Sequence, residues 1–265
     1  MAEDWDNLLI LDACRFDMFE TQNSIAGDLQ HRRSLGSESW EFLSENFADR
    51  TFHDTVYVTA NPHAPKIPSG TFHAVVNLLE EGWDAELGTV HPETVVEAVQ
   101  QAQNQYPEKR LIAHFMQPHY PFIGEHGRDL NHKGISIHLS SEQSDTKRKV
   151  WTNLGYGRLN RAQVVNAYRE NLDIVLNYVE DLLDSLSGRS VVTSDHGNLI
   201  GETTSPIPAR GYGHPRGLNS DELRIVPWLV VEGSDRRTTV ADTPTEQDET
   251  DSRVVRDRLH DLGYR

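Results

Sequence analysis

Ser194-Asp195-His196-Gly197 places a carboxylate and an imidazole side by side where an apolar stretch meets a glycine. Hard carboxylate oxygens and imidazole nitrogens are a donor pair for zinc, manganese or iron. A second carboxylate, Asp12, ends the run Leu8-Leu9-Ile10-Leu11. Ser37 and Ser39 stand just before the periodic segment that starts at Trp40. A serine at a helix start meets unpaired N–H groups and the positive end of the helix dipole, which eases ionisation of its hydroxyl and holds an anion beside it. His119 sits in Gln117-Pro118-His119-Tyr120-Pro121, where the prolines stiffen the turn. Glycines at 213 and 217 flank His214 and let the backbone bend closely round a small ligand. Each feature also has a plainer reading. Asp195-His196 would be a polar turn, Asp12 an N-cap for a helix over Ala13–Glu20, the serines ordinary N-caps, and His119 a surface residue.

Those residues need a scaffold. Asn7 to Asp12, Asp54 to Pro62, Leu111 to Met116, Ser190 to Ser194 and Leu223 to Val231 are apolar or β-branched runs of strand length, and the first reads as covered on both faces. Pro227 predicts an edge or bulge position for the last of them. Helical spacing runs over Trp40–Phe47, Pro92–Gln103, Asn160–Leu186 and Ser252–Leu262, with Gly188 and Gly263 as stops. The alternation gives an α/β fold, and strand C-terminal ends are where such sheets collect their sites. Residues 124–157 show little core pattern and predict a flap or insertion that covers or borders the site and sets substrate choice. Residues 198–210 predict a loop, and His31 to Ser39 is polar and contains a glycine.

The chain has 265 residues, enough for one large domain spanning 1–265. Its formal net charge is −16, which would repel phosphate backbones and argues against a nucleic-acid binder. That surface suits high salt, and a halophilic, haloarchaeal source is the expectation; an acidic cytosolic protein is the alternative. Cys14 is the single cysteine, so no internal disulfide forms. An acidic start and the lack of a long apolar run predict no membrane span and a cytoplasmic location. No Gly-x-Gly-x-x-Gly follows the first strand, so a Rossmann-type nucleotide site is not indicated.

Leu9-Ile10-Leu11-Asp12-Ala13-Cys14-Arg15, Gln117-Pro118-His119-Tyr120-Pro121-Phe122, Thr193-Ser194-Asp195-His196-Gly197 and Gly213-His214-Pro215 followed by Arg224-Ile225-Val226-Pro227 occur in this order over nearly the whole chain. In that order and spacing the chain resembles the sulfatase-like branch of the alkaline phosphatase superfamily. The resemblance implies an alkaline-phosphatase-like three-layer sandwich round a central mixed, mostly parallel sheet. It implies Asp12, Asp195 and His196 as ligands of a divalent metal, zinc or manganese, with magnesium or calcium as further options. Ser39, with Ser37 as rival, would match the nucleophile. His119 and His214 would match residues contacting the substrate anion or leaving group. Arg15, just past Asp12, would pair with the anion or be an ordinary surface arginine.

The implied activity is hydrolysis or transfer of a phosphate ester, on a small molecule or a glycan, through a serine intermediate. Neither serine begins the Cys-x-Pro-x-Arg pattern, or its serine version, that formylglycine sulfatases need. The Asp-x-x-x-His set of two-metal phosphodiesterases is not evident either. A one-metal site of the lipoteichoic-acid-synthase type is the nearer resemblance. A sulfate ester hydrolase is the second reading, and a non-catalytic member binding an anionic glycan or a partner the third. Oligomeric state is not legible.

Overall fold

Leu8 to Leu11 are apolar without a break because the strand they form lies mid-sheet and is covered on both faces. The structure is a computed structural model, and it describes residues 3–133, 150–206, 208–233, 235–245 and 251–262. In chain order the first half comprises β1 (Asn7–Leu11), α1 (Phe16–Gln22), β2 (Asp28–Arg33), α2 (Ser39–Phe47), β3 (Phe52–Thr59) and β4 (Phe72–Asn77). A short hairpin of β5 (Trp83–Asp84) and β6 (Thr89–Val90) leads into α3 (Pro92–Gln105), β7 (Arg110–Phe115) and α4 (Glu125–Lys133). Then come α5 (Val150–Gly155), α6 (Arg161–Ser185), β8 (Ser190–Ser194), β9 (Leu199–Thr203) and β10 (Arg210–Gly213). The chain closes with α7 (Asp221–Arg224), β11 (Ile225–Val231) and α8 (Ser252–Asp261).

Seven strands form the main sheet in the order β2-β11-β8-β1-β7-β3-β4. β8, β1, β7, β3 and β4 run parallel, and β11 is antiparallel to both of its neighbours. Side-chain alternation divides two cores. Leu9, Leu11, Val56, Val58, Leu111, Phe115 and Val192 face one way, onto the apolar stripes of α3 and α6. Leu8, Ile10, Tyr57, Ile112 and Val191 face the other, onto Phe42, Leu43 and Phe47 of α2. Helix, sheet and helix make three layers. Because four parallel strands end on one edge, everything just past β1, β3, β7 and β8 converges there.

Several local expectations change. α1 begins at Phe16 with Arg15 as its N-cap residue, so Asp12 caps no helix. α2 is capped by Glu38, whose carboxylate accepts from the Trp40 and Glu41 N–H groups, so neither Ser37 nor Ser39 is the cap. Pro227 lies in a strand with neighbours on both sides; the ladder with β8 starts only at Trp228, which leaves room for its missing N–H. Residues 198–210 hold the first strand of the β9–β10 hairpin and reach its second. Within 124–157, α4 and α5 send Leu130, Val150 and Leu154 into the core, and residues 134–149 lie outside the described residues. α8 ends at Asp261, one residue before the expected Leu262, and Gly263 also lies outside the described residues. Among the described residues no helix is long and apolar enough to cross a membrane.

Candidate metal and nucleophile site

Register alone sets two carboxylates together. Leu11 pairs with Ser194 in parallel strands, so the next residues, Asp12 and Asp195, leave the sheet side by side. Ala13, the residue after Asp12, holds φ 59° in the left-handed region, which an L-residue adopts at a cost. That turn aims the Ala13 N–H at Asp195 Oδ1 (3.0 Å), and the His196 N–H reaches the same oxygen at 2.8 Å. On Asp12 the equivalent anchor is Oδ2, which accepts from Asn61 Nδ2 at 2.8 Å and from Ser39 Oγ at 3.2 Å.

Each carboxylate therefore has one oxygen held by the chain. The other oxygen, Asp12 Oδ1 or Asp195 Oδ2, is buried with no hydrogen-bond partner among the described residues. His196 Nε2 lies 3.6 Å from the first and 3.5 Å from the second. Its Nδ1 donates to the Gly197 carbonyl at 2.7 Å, which leaves the Nε2 lone pair facing the carboxylates. Bonds of ~2.0–2.1 Å to a tetrahedral zinc would put donor atoms ~3.4 Å apart. Two orphaned oxygens and a nitrogen lone pair at this spacing fit a divalent ion.

The electrostatics agree. Burial, and then the neighbouring Asp195 charge, push Asp12 well above the ordinary carboxylate range. Burial also presses Asp195 upward, but the His196 and His114 imidazoles and the Ala13 N–H outweigh it and hold Asp195 low. Two carboxylates this close do not both ionise without a cation between them.

Ser39 is the first residue of α2, and its Oγ is 3.3 Å from His196 Nε2 as well as 3.2 Å from Asp12. Ser37 is turned away: its hydroxyl donates to Glu41 Oε2 (2.8 Å) and contacts the Pro215 carbonyl (3.0 Å). The N–H groups expected to support an ionised serine, those of Trp40 and Glu41, are taken by Glu38. Gly36 contributes space rather than flexibility, since a Cβ there would sit 2.3 Å from the Phe42 nitrogen.

His119 and His214 meet, with Nε2 atoms 3.0 Å apart, and the His214 ring lies 4.7 Å from that of His196. Burial first, then neighbouring imidazoles, depress both; His119 falls to about 4, so both are neutral near pH 7. Asn171 of α6 fixes the turn by donating to the Pro118 and His119 carbonyls at 3.1 Å. Arg15 is not part of this constellation. Its guanidinium is bound by Asp17 and Glu202 (2.7 Å each) and by the Asn198 carbonyl.

Three further residues at this edge escaped the sequence reading. Asn61 anchors Asp12, and His63, just past β3, is buried beside the site with Nδ1 2.7 Å from Lys66 Nζ. His114, inside β7, directs Nε2 at Asp195 Oδ2 from 3.8 Å. His114 reads in sequence as one more strand residue, and nothing in its neighbours marks it.

No family model matches the sequence, and no curated protein does. Solved structures match in fold. An integral membrane lipooligosaccharide phosphoethanolamine transferase A from Neisseria meningitidis superposes with TM-score 0.54 at 14% identity over 86% of this chain and 48% of its own. The chain thus spans about half the length of that protein. The C-terminal periplasmic domain of EcEptC from Escherichia coli, in complex with zinc, gives 0.52 at 13% identity, over 86% and 72% of the two chains. A putative sulfatase from Bacteroides thetaiotaomicron gives 0.50 at 12% identity, over 97% and 70%. At this identity the likeness is one of fold: the sheet and its two helical layers are alkaline-phosphatase-like, as the motif order implies.

Proposed function

We propose that this chain is a metal-dependent phosphate-ester hydrolase or transferase with Ser39 as its nucleophile. The observation that carries this reading is one cluster: two buried, unpartnered carboxylate oxygens, His196 Nε2 between them, and the Ser39 hydroxyl within 3.3 Å of that nitrogen. Asp12, Asp195 and His196 would hold the ion. Bound there, a divalent metal lowers the pKa of a neighbouring hydroxyl and draws charge off an ester oxygen.

The protein's own groups supply the rest. Ser39 Oγ attacks phosphorus, and the P–O bond to the leaving group breaks as the serine ester forms. The hydroxyl proton has Asp12 Oδ2 as acceptor at 3.2 Å. The neutral His119–His214 pair, whose Nε2 atoms lie 3.0 Å apart, would donate a hydrogen bond to a non-bridging or leaving oxygen and so stabilise the charge that develops there, and the leaving group takes its proton from water. Sulfate esters rank second because Ser39-Trp40-Glu41 lacks the formylglycine pattern. The fold neighbours, phosphoethanolamine transferase domains and a putative sulfatase among them, are in keeping with ester chemistry at either phosphorus or sulfur.

The test is turnover of p-nitrophenyl phosphate, bis(p-nitrophenyl) phosphate and p-nitrophenyl sulfate with zinc or manganese and then with EDTA. Metal-dependent release from a phosphate ester is expected. Release from the sulfate alone would make the protein a sulfatase, and none from any ester would favour a binding role.

A further inference from the structure

Thr59, Tyr57 and His114 are all fully buried and joined in a line that ends at the proposed metal site. The Asn61 N–H donates to Thr59 Oγ1 at 3.0 Å. Thr59 Oγ1 is 3.2 Å from the Tyr57 hydroxyl, which is 2.8 Å from His114 Nδ1. The other ring nitrogen, His114 Nε2, faces Asp195 Oδ2 across 3.8 Å. Neither of those two atoms has a hydrogen-bond partner among the described residues.

Only one direction of this line accounts for every proton. Thr59 Oγ1 already accepts from a backbone N–H, so its own hydrogen goes to the Tyr57 oxygen, and the tyrosine hydrogen goes to Nδ1. Nδ1 is then the acceptor, and the ring carries its hydrogen on Nε2, pointing at Asp195. Reversing the line strands the threonine hydrogen in a dry interior and sets an imidazole lone pair against a carboxylate, both costly. The parallel register builds the line: Thr59 of β3 pairs with His114 of β7, which pairs with Ile10 of β1, two residues before Asp12.

We propose that His114 is a positioning residue for the metal ligand Asp195, with its tautomer set by Tyr57 and Thr59. The inference rests on the metal-site reading above. Asp195 Oδ1 is fixed by two backbone N–H groups, so Oδ2 is the oxygen left for an ion. An N–H 3.8 Å from that oxygen attracts it electrostatically, and would favour the carboxylate orientation that leaves a lone pair for the ion. A histidine that merely fills the core would have both nitrogens satisfied by the protein; here, among the described residues, Nε2 has no hydrogen-bond partner and lies 3.8 Å from the ligand oxygen.

The test uses the full chain with cobalt(II) and zinc as probes. Affinity is read by chelator competition, the ligand field by the cobalt visible spectrum, and folding by circular dichroism in EDTA. His114→Leu is expected to weaken binding 10–100-fold and to shift the cobalt bands. His114→Gln, whose amide N–H occupies the Nε2 position, should stay within about three-fold of wild type. Tyr57→Phe keeps the volume but frees the tautomer, and should weaken binding and shift the bands even if His114→Leu fails to fold. Folded variants binding within two-fold, with unchanged spectra, would overturn the inference alone. So would equal loss in the Leu and Gln variants with Tyr57→Phe unaffected, which would reduce the role to packing. A wild-type protein that binds neither ion would overturn the metal-site reading and this inference with it.

Discussion

Ser37 and Ser39 have the same chemistry and stand two positions apart, yet one hydroxyl is spent on Glu41 and Pro215 and the other reaches Asp12 and His196. Of the two, only the Ser39 hydroxyl borders the residues proposed to hold the metal. Replacing Ser39 with Ala should lower kcat on a responsive ester by ~10³-fold or more. Metal affinity should change little, because Asp12, Asp195 and His196 stay. Ser37→Ala removes a contact that does not touch the ligands and should leave kcat within a few-fold. Steady-state kinetics with metal titration of both variants decides it; comparable kcat in wild type and Ser39→Ala would remove the serine intermediate.

At the scale of elements, the start of α2 is the critical joint. Ser39 reaches the site because the helix begins where it does, and Glu38 sets that start by capping the Trp40 and Glu41 N–H groups at 2.8 Å. The same carboxylate faces Arg216 at 3.7 Å, in the turn that carries His214. Glu38→Ala should cost about 1 kcal/mol of stability by urea denaturation, the usual effect of losing an N-cap. Glu38→Asp, a good cap in its own right, should recover most of that. Equal stability of wild type and Glu38→Ala would show that tertiary packing, not the cap, starts the helix.

Across the whole molecule, the dense set of buried imidazoles ties stability to pH. Burial first, with Lys66 and other neighbours adding to it, takes His63 down to about 3, and burial takes His114 and His119 to about 4. A histidine that stays neutral when folded, but has its ordinary pKa of ~6.5 unfolded, contributes stability that is whole above that pKa. The contribution is lost as pH falls towards the folded value, because the unfolded chain takes up protons that the folded one refuses. Each such histidine adds a slope of up to ~1.4 kcal/mol per pH unit. Asp12, pushed upward, acts in the opposite sense over the same range. It offers at most one proton against those of His63, His114, His119 and the likewise depressed His214, so the histidines prevail. Metal-free protein in EDTA should therefore lose stability steadily between pH 6.5 and about 4.5 in urea titrations. A flat or rising profile on acidification would show that these rings take up protons in the folded state.

The runs at Leu8–Leu11, Leu111–Ala113 and Val191–Val192 are legible because a strand covered on both faces must be largely apolar, and that requirement is written locally. Where such a strand stops, the next polar residue lies at the sheet edge, which is why Asp12, Asp195 and His196 stand out from the chain alone. β2 does not stand out, because it is a charged edge strand, Asp28-Leu29-Gln30-His31-Arg32-Arg33, with little to bury. The β9–β10 hairpin is likewise short and half exposed. Tertiary structure alone decided which serine meets Asp12, since that depends on Glu38 and on how α2 lies over the sheet. It also took Arg15 out of the constellation, by bringing in Glu202 from the hairpin. Asn61 and His114 came in by parallel register, which joins residues far apart in the chain at one edge and leaves no mark on the residues beside either of them.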